Sequence, residues 1–95
     1  MSIAPVEITL QAILDLTAAR SLAGELLARR GAPLSLDASK VERLGALCLQ
    51  VLLSARVTWM RDGQPLTIKD VSPAFEDQFQ RFGANAHAFA RGASS

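Results

Sequence analysis

The chain has 95 residues, enough for one small domain and too few for a second hydrophobic core. Apolar residues make up 49% of it and charged residues 20%, a globular balance that excludes a disordered chain. Ten Lys and Arg against nine Asp and Glu leave a net charge of +1, which argues against nucleic acid as the main ligand and against a polybasic membrane anchor. A lone cysteine, Cys48, cannot form an internal disulfide, and with a single histidine, His87, no Cys/His metal set is expected. The first residues carry neither the basic stretch nor the long apolar core of a signal peptide. The longest apolar run, Ala46 to Leu49, falls far short of the roughly 18 residues of a membrane span, so the expected setting is cytoplasmic.

In chain order, Val6, Ile8 and Leu10 alternate with Glu7, Thr9 and Gln11, the period-two pattern of a strand with one buried face. Ala12-Ile13-Leu14 either continues this strand or forms a second short one. Thr17 reads as the N-cap of a helix carrying Ala19, Leu22, Ala23, Leu26 and Leu27 at helical spacing. Glu25 and Arg29 form an i,i+4 pair, Gly31 is the expected C′ residue, and Pro33 bars continuation. Pro33 to Asp37 reads as a strand, followed by a helix from about Leu44 to Met60 that Arg61-Asp62-Gly63 closes with a turn. Leu66 and Ile68 mark another strand. Ser72-Pro73 then opens a last helix with Phe75, Phe79 and Phe82 on one face, ended by Gly83. Residues 84–95 are Ala-rich and are expected to fray. The order β(β)αβαβα predicts a single α/β domain over residues 1–95, with its core at about 5–84. The expected sheet is four- to five-stranded, mixed and mostly parallel, with helices packed on it, because right-handed crossovers join the strands.

The middle helix is unusually apolar. At 100° per residue Leu44, Leu47, Cys48, Val51, Ala55 and Trp59 fall on one side, while Ala46, Leu49, Leu53, Val57 and Met60 fall nearly opposite, with Leu52 between. A helix apolar nearly all round is either sandwiched or waits for a partner. The first alternative needs the first helix and the C-terminal segment to cover the second stripe.

No active site is apparent. Cys48 lies in the apolar helix with no cationic neighbour to lower its pKa, and reads as a small core side chain. His87 falls among Asn85, Ala86 and Ala88 and reads as a solvated side chain. Asp15, Asp37 and Asp70 each end a strand, where α/β sheets place ligands, although loop capping explains them as well. The glycines are scattered terminators, with no phosphate-cradling loop. Trp59 reads as core. No catalytic, cofactor or metal residue is assigned.

The segment Leu34-Ser35-Leu36-Asp37-Ala38-Ser39-Lys40-Val41-Glu42-Arg43-Leu44-Gly45-Ala46-Leu47-Cys48-Leu49-Gln50 resembles the centre of STAS domains, the bacterial anti-anti-sigma-factor type of module. Those have a strand, an Asp-x-Ser-x-Val loop and an apolar helix. Ile13-Leu14-Asp15-Leu16-Thr17 looks like the family's second strand leading into its first helix, and Asp70-Val71-Ser72-Pro73-Ala74-Phe75 with Gly83 is similar to its ending. The match spans roughly residues 5–84. The resemblance implies a phosphorylatable Ser or Thr beside an acidic residue at the start of the middle helix. Aligned through Leu44 and Leu49, the acidic position is Gly45, and Ala46 and Leu47 stand at the acceptor positions without a hydroxyl. The usual phospho-switch is therefore not expected. Ser39, in the preceding loop, is not the family's acceptor position.

The resemblance further implies a docking surface made of Ser39, Lys40, Glu42, Arg43, Ala46 and Gln50, an apolar centre with charged edges. The short chain, its Leu-Cys-Leu-Gln helix and its Val-Thr-Trp-Met-Arg-Asp-Gly closing turn look most like the small STAS proteins of bacterial chemotaxis operons. That implies a non-enzymatic adaptor docking a chemotaxis histidine kinase and favouring loss of signal through a response regulator, with a homodimer as a further possibility. Alternatives are the STAS subunit of a lipid-transport ABC complex, which residues 37–43 also resemble, and an unphosphorylated anti-anti-sigma-type module. An enzymatic reading, a phosphatase acting on response regulators, would rest on Glu42 and Gln50, which about 80° of helix and a loop separate.

Overall fold

Alternation of apolar and polar residues in three short segments builds the scaffold. In the computed structural model, which describes residues 6–82, they are β1 (Val6–Thr9), β3 (Leu34–Asp37) and β5 (Leu66–Lys69). They pair in the order β1-β3-β5, all parallel, with Ile8 opposite Leu36 and Leu36 opposite Ile68. Ile8, Leu34, Leu36, Leu66 and Ile68 are buried on one face. The other face carries Glu7, Thr9, Ser35, Thr67 and Lys69, and there Lys69 and Glu7 form an ion pair that raises the Lys69 pKa. Both crossovers step the same way along the sheet, so right-handed connections put α1 (Leu16–Ala28) and α2 (Ala46–Arg61) on the same, apolar face, in contact with each other.

The remaining strands, β2 (Ile13–Leu14) and β4 (Arg43–Leu44), form a separate parallel pair. They lie at the starts of α1 and α2, and α3 (Pro73–Arg81) packs against β4. The expected single sheet of four to five strands is thus five strands in two sheets, and every described pairing is parallel rather than mixed. Arg43 and Leu44 are strand, not the beginning of the middle helix, which starts at Ala46.

Local chemistry sets the helix starts. Asp15, not Thr17, caps α1: its carboxylate accepts from the Ala18 amide at 3.0 Å. The residue preceding the strand-to-helix break is thus the cap, and Thr17 lies inside the first turn. Ser72 caps α3, accepting from the Phe75 amide at 3.0 Å, with Pro73 at the first helical position as expected. Gly45 opens α2 with no side chain to cap it. At the far end α1 closes through Arg29, so Gly31, at φ +93°, comes one residue later than the C′ position expected for it.

Leu36, Ala38, Cys48, Leu52 and Phe75 are fully buried, and the Phe75 and Phe79 rings lie 5.2 Å apart. Phe82, placed on the same face from its spacing, is instead largely exposed. Trp59 is buried, and its indole N–H donates to the Ala32 carbonyl at 2.8 Å. Along α2 the buried side is Cys48, Leu49, Leu52, Ala55 and Trp59. Leu53, Val57 and Met60 are exposed, and so is Leu47, which periodicity groups with the buried side. Residues 84–95, the expected fraying tail, and His87 lie outside the described residues.

Candidate protein-docking surface

The loop between β3 and β4 is pinned from beneath. Ala38 and Val41 are 0% and 1% exposed. The Ala38 amide donates to the Lys69 carbonyl at 3.1 Å, and the Ser72 amide donates to the Ala38 carbonyl at 3.2 Å. The Ser72 hydroxyl donates to the Val41 carbonyl at 2.6 Å. Between these anchors Ser39 and Lys40 are held out in solvent. Asp37 fixes the loop's first turn: its carboxylate accepts from the Ser39 amide at 2.9 Å, and this bond holds its pKa below the ordinary carboxylate value.

The chain then runs as β4 between two partners. On one side the Glu42 and Arg43 amides both donate to the Ala12 carbonyl, at 2.8 and 3.1 Å, and the Gly45 amide donates to the Leu14 carbonyl at 2.9 Å. On the other side no strand follows among the described residues. Instead the side-chain amide of Gln78, on α3, substitutes for one. Its oxygen accepts from the Leu44 amide at 2.7 Å, and its nitrogen donates to the Glu42 carbonyl at 3.0 Å. Sequence reading gave Gln78 no role, and nothing in its neighbourhood sets it apart from any other glutamine on an amphipathic helix.

Gly45 is required where it stands, because a Cβ there would lie 2.8 Å from the Leu14 carbonyl oxygen. An acidic side chain at this position has no room without displacing β2. Ala46 and Leu47 begin α2 and are both exposed, Leu47 at 50%. Ser39, Lys40, Glu42, Arg43, Ala46 and Gln50 are all exposed, the first four on the loop and β4, the last two one helical turn apart on α2. The surface has a hydrogen-bonded backbone, a small apolar centre at Ala46 and Leu47, and charges of both signs at its edge, the makeup common to protein interfaces.

The other reactive side chains are committed to structure. Cys48 is fully buried, its thiol is 3.4 Å from the Asp15 carbonyl oxygen, and burial pushes its pKa up, away from a nucleophilic thiolate. Asp15 and Asp37 serve as cap and turn acceptor. Asp70 ends β5 at φ +52°, a left-handed conformation that Asp tolerates better than most residues. Among the described residues, no group of His, Cys, Asp or Glu is placed to hold a metal, and no helix is long and apolar enough to cross a membrane.

The protein family described as Mlab, STAS domain, matches residues 1–89, which takes in every described element. The chain belongs to the STAS family. Neither a curated protein nor a solved structure matches it. STAS domains are regulatory modules that work through protein–protein interaction. This STAS domain has no hydroxyl at Ala46 or Leu47 and no side chain at Gly45.

Proposed function

We propose that this STAS domain is a non-enzymatic adaptor that docks a chemotaxis histidine kinase through the β3–β4 loop and the first turns of α2, favouring signal termination through a response regulator. The observation that carries the reading is the contrast within residues 38–50. The backbone is fixed by Ser72, Gln78 and the Ala12 carbonyl, while Ser39, Lys40, Glu42, Arg43, Ala46 and Gln50 are left exposed. Fixed backbone lowers the ordering cost of association. With no hydroxyl at Ala46 or Leu47, docking is constitutive at that position, ungated by a phosphate that would add about −1.5 to −2 charges to the helix start.

The experiment is titration of the purified protein with a purified chemotaxis histidine kinase, repeated with Arg43→Glu and Ala46→Glu. Both side chains are exposed, and Glu at the first residue of α2 is favoured by the helix dipole, so thermal unfolding stays close to that of the parent. Binding falls at least about tenfold in each variant, or about 1.4 kcal/mol. Variants that bind like the parent remove this surface from the reading.

A second reading keeps the helix and changes the partner to the ATPase of a lipid-transport ABC complex. Residues 37–43 resemble that subfamily, and the matching family's description names Mlab. Binding to such an ATPase, sensitive to the same substitutions, with none to the kinase, selects it.

A further inference from the structure

We propose that the groove between α1 and α2 receives an amphipathic α-helix of a partner protein, one whose apolar stripe is flanked by carboxylates. The groove has a volume of about 540 Å³. Its rim carries Leu16, Leu27 and Leu47, which are 54%, 71% and 50% exposed, a large apolar commitment for so small a surface. The 13 residues of α1 give it a length of about 20 Å.

Three observations select the occupant. Polar groups on the walls are few (Gln50, Ser54 and Thr58), so an extended peptide would bury backbone amides without partners, whereas a helix satisfies its own. Two neighbouring helices also present ridges between which a third helix seats its i, i+3, i+4, i+7 side chains. The charged residues lining the groove are Arg20 and Arg30, with no carboxylate among them. Arg30 is held by Asp62 at 2.8 Å, while Arg20 is exposed and makes no ion pair among the described residues. An acidic flank on the occupant complements this rim. A second copy does not, because a two-fold interface presents the same arginines to one another. The chain's own α3 is acidic at Glu76 and Asp77, but its apolar side is already spent on Phe75 and Phe79 in the core.

The groove meets the proposed kinase surface at Leu47 and Gln50, while Ser39, Lys40, Glu42, Arg43 and Ala46 do not line it, so shifts at those five residues tell the two surfaces apart. The probe is a tryptophan-free synthetic helical peptide of about 18 residues, roughly 27 Å long, with a leucine stripe flanked by glutamates. The same peptide with lysine flanks is the control. Trp59, the chain's single tryptophan, lines the groove and reports binding by its emission, while amide NMR shifts locate it. The glutamate peptide binds at least about tenfold tighter than the lysine peptide, Arg20→Glu reverses that order, and Leu27→Asp abolishes binding with thermal unfolding unchanged. Equal binding of the two peptides, no binding, or shifts confined to the β3–β4 loop overturns the proposal. Self-association on sedimentation that Leu27→Asp dissolves also overturns it, by making the groove a contact between two copies.

Discussion

The two parallel sheets are specified in different ways. In β1-β3-β5 the information is in the strands: each alternates apolar and polar residues, and burial of Ile8, Leu34, Leu36, Leu66 and Ile68 fixes the register, since a slip of one residue would turn them to water. In β2-β4 each strand has two residues and no pattern of its own. Their geometry rests on a few contacts: the pair's own bonds to the Ala12 and Leu14 carbonyls, the Gln78 amide on the other side of β4, and the absence of a side chain at Gly45. The larger sheet is set by its own strand pattern, and the smaller one leads into the exposed surface.

Substitutions can test this division, and the largest effect is expected beneath the large sheet. Leu52 is fully buried, and Leu52→Ala costs about 2–5 kcal/mol in chemical denaturation. A cost below about 1 kcal/mol would mean that α2 is rotated from its described phase. Next comes Gly45→Ala, whose Cβ would press on the Leu14 carbonyl and cost about 1–3 kcal/mol as an overpacked contact. Gly24→Ala is its opposite: nothing lies within 4 Å of the added carbon, and in mid-helix the change stabilises by about 0.5–1 kcal/mol. Gln78→Leu strips two hydrogen bonds from β4 and costs about 1–2 kcal/mol. Hydrogen exchange at the Leu44 amide accelerates in that variant more than exchange at Leu36, whereas equal acceleration would mean that the two sheets open together.

The smallest effect is in acid. The Asp37 pKa is depressed by the Ser39 amide, so the turn's contribution is fully present above the ordinary carboxylate value of 3.8 and is lost as pH falls through the lower folded value. Asp37→Ala lacks that contribution at every pH, so its melting temperature approaches the parent's as the solution is acidified through this range. A constant gap down to the lowest pH would show that the carboxylate's charge has no part in the turn.

Much of the large sheet was legible in the sequence because alternation, proline and capping chemistry are local signals. The strands at Leu34–Asp37 and Leu66–Lys69, and the Ser72-Pro73 helix start, are where those signals place them. The resemblance to STAS domains, carried by residues 34–50, likewise agrees with the family match. What escaped was tertiary. Arg43-Leu44 reads as helix because it abuts a long apolar helical stretch, and only Ala12, Leu14 and Gln78 make it a strand. Thr17 and Asp15 are both good caps, and the backbone at Asp15 decided between them. Leu47 shares a helical phase with Cys48 and Val51, yet the first helix leaves it uncovered, forming the rim of the α1/α2 groove. The six proposed docking residues follow from the resemblance to STAS domains, and the clamp behind them is tertiary, which no periodicity reports.

The close approach of Gly45 to Leu14 also limits which side chains the start of α2 can take. Placing a hydroxyl there needs only Ala46→Ser, an exchange of one small exposed side chain for another. Placing an acidic residue beside it at position 45 means forcing a carboxylate into a gap where even a methyl group meets a carbonyl oxygen at 2.8 Å. A hydroxyl and a carboxylate are therefore unequally accessible to mutation at the start of α2. A hydroxyl can be placed there in a single step, whereas an acidic neighbour at position 45 requires β2 to move.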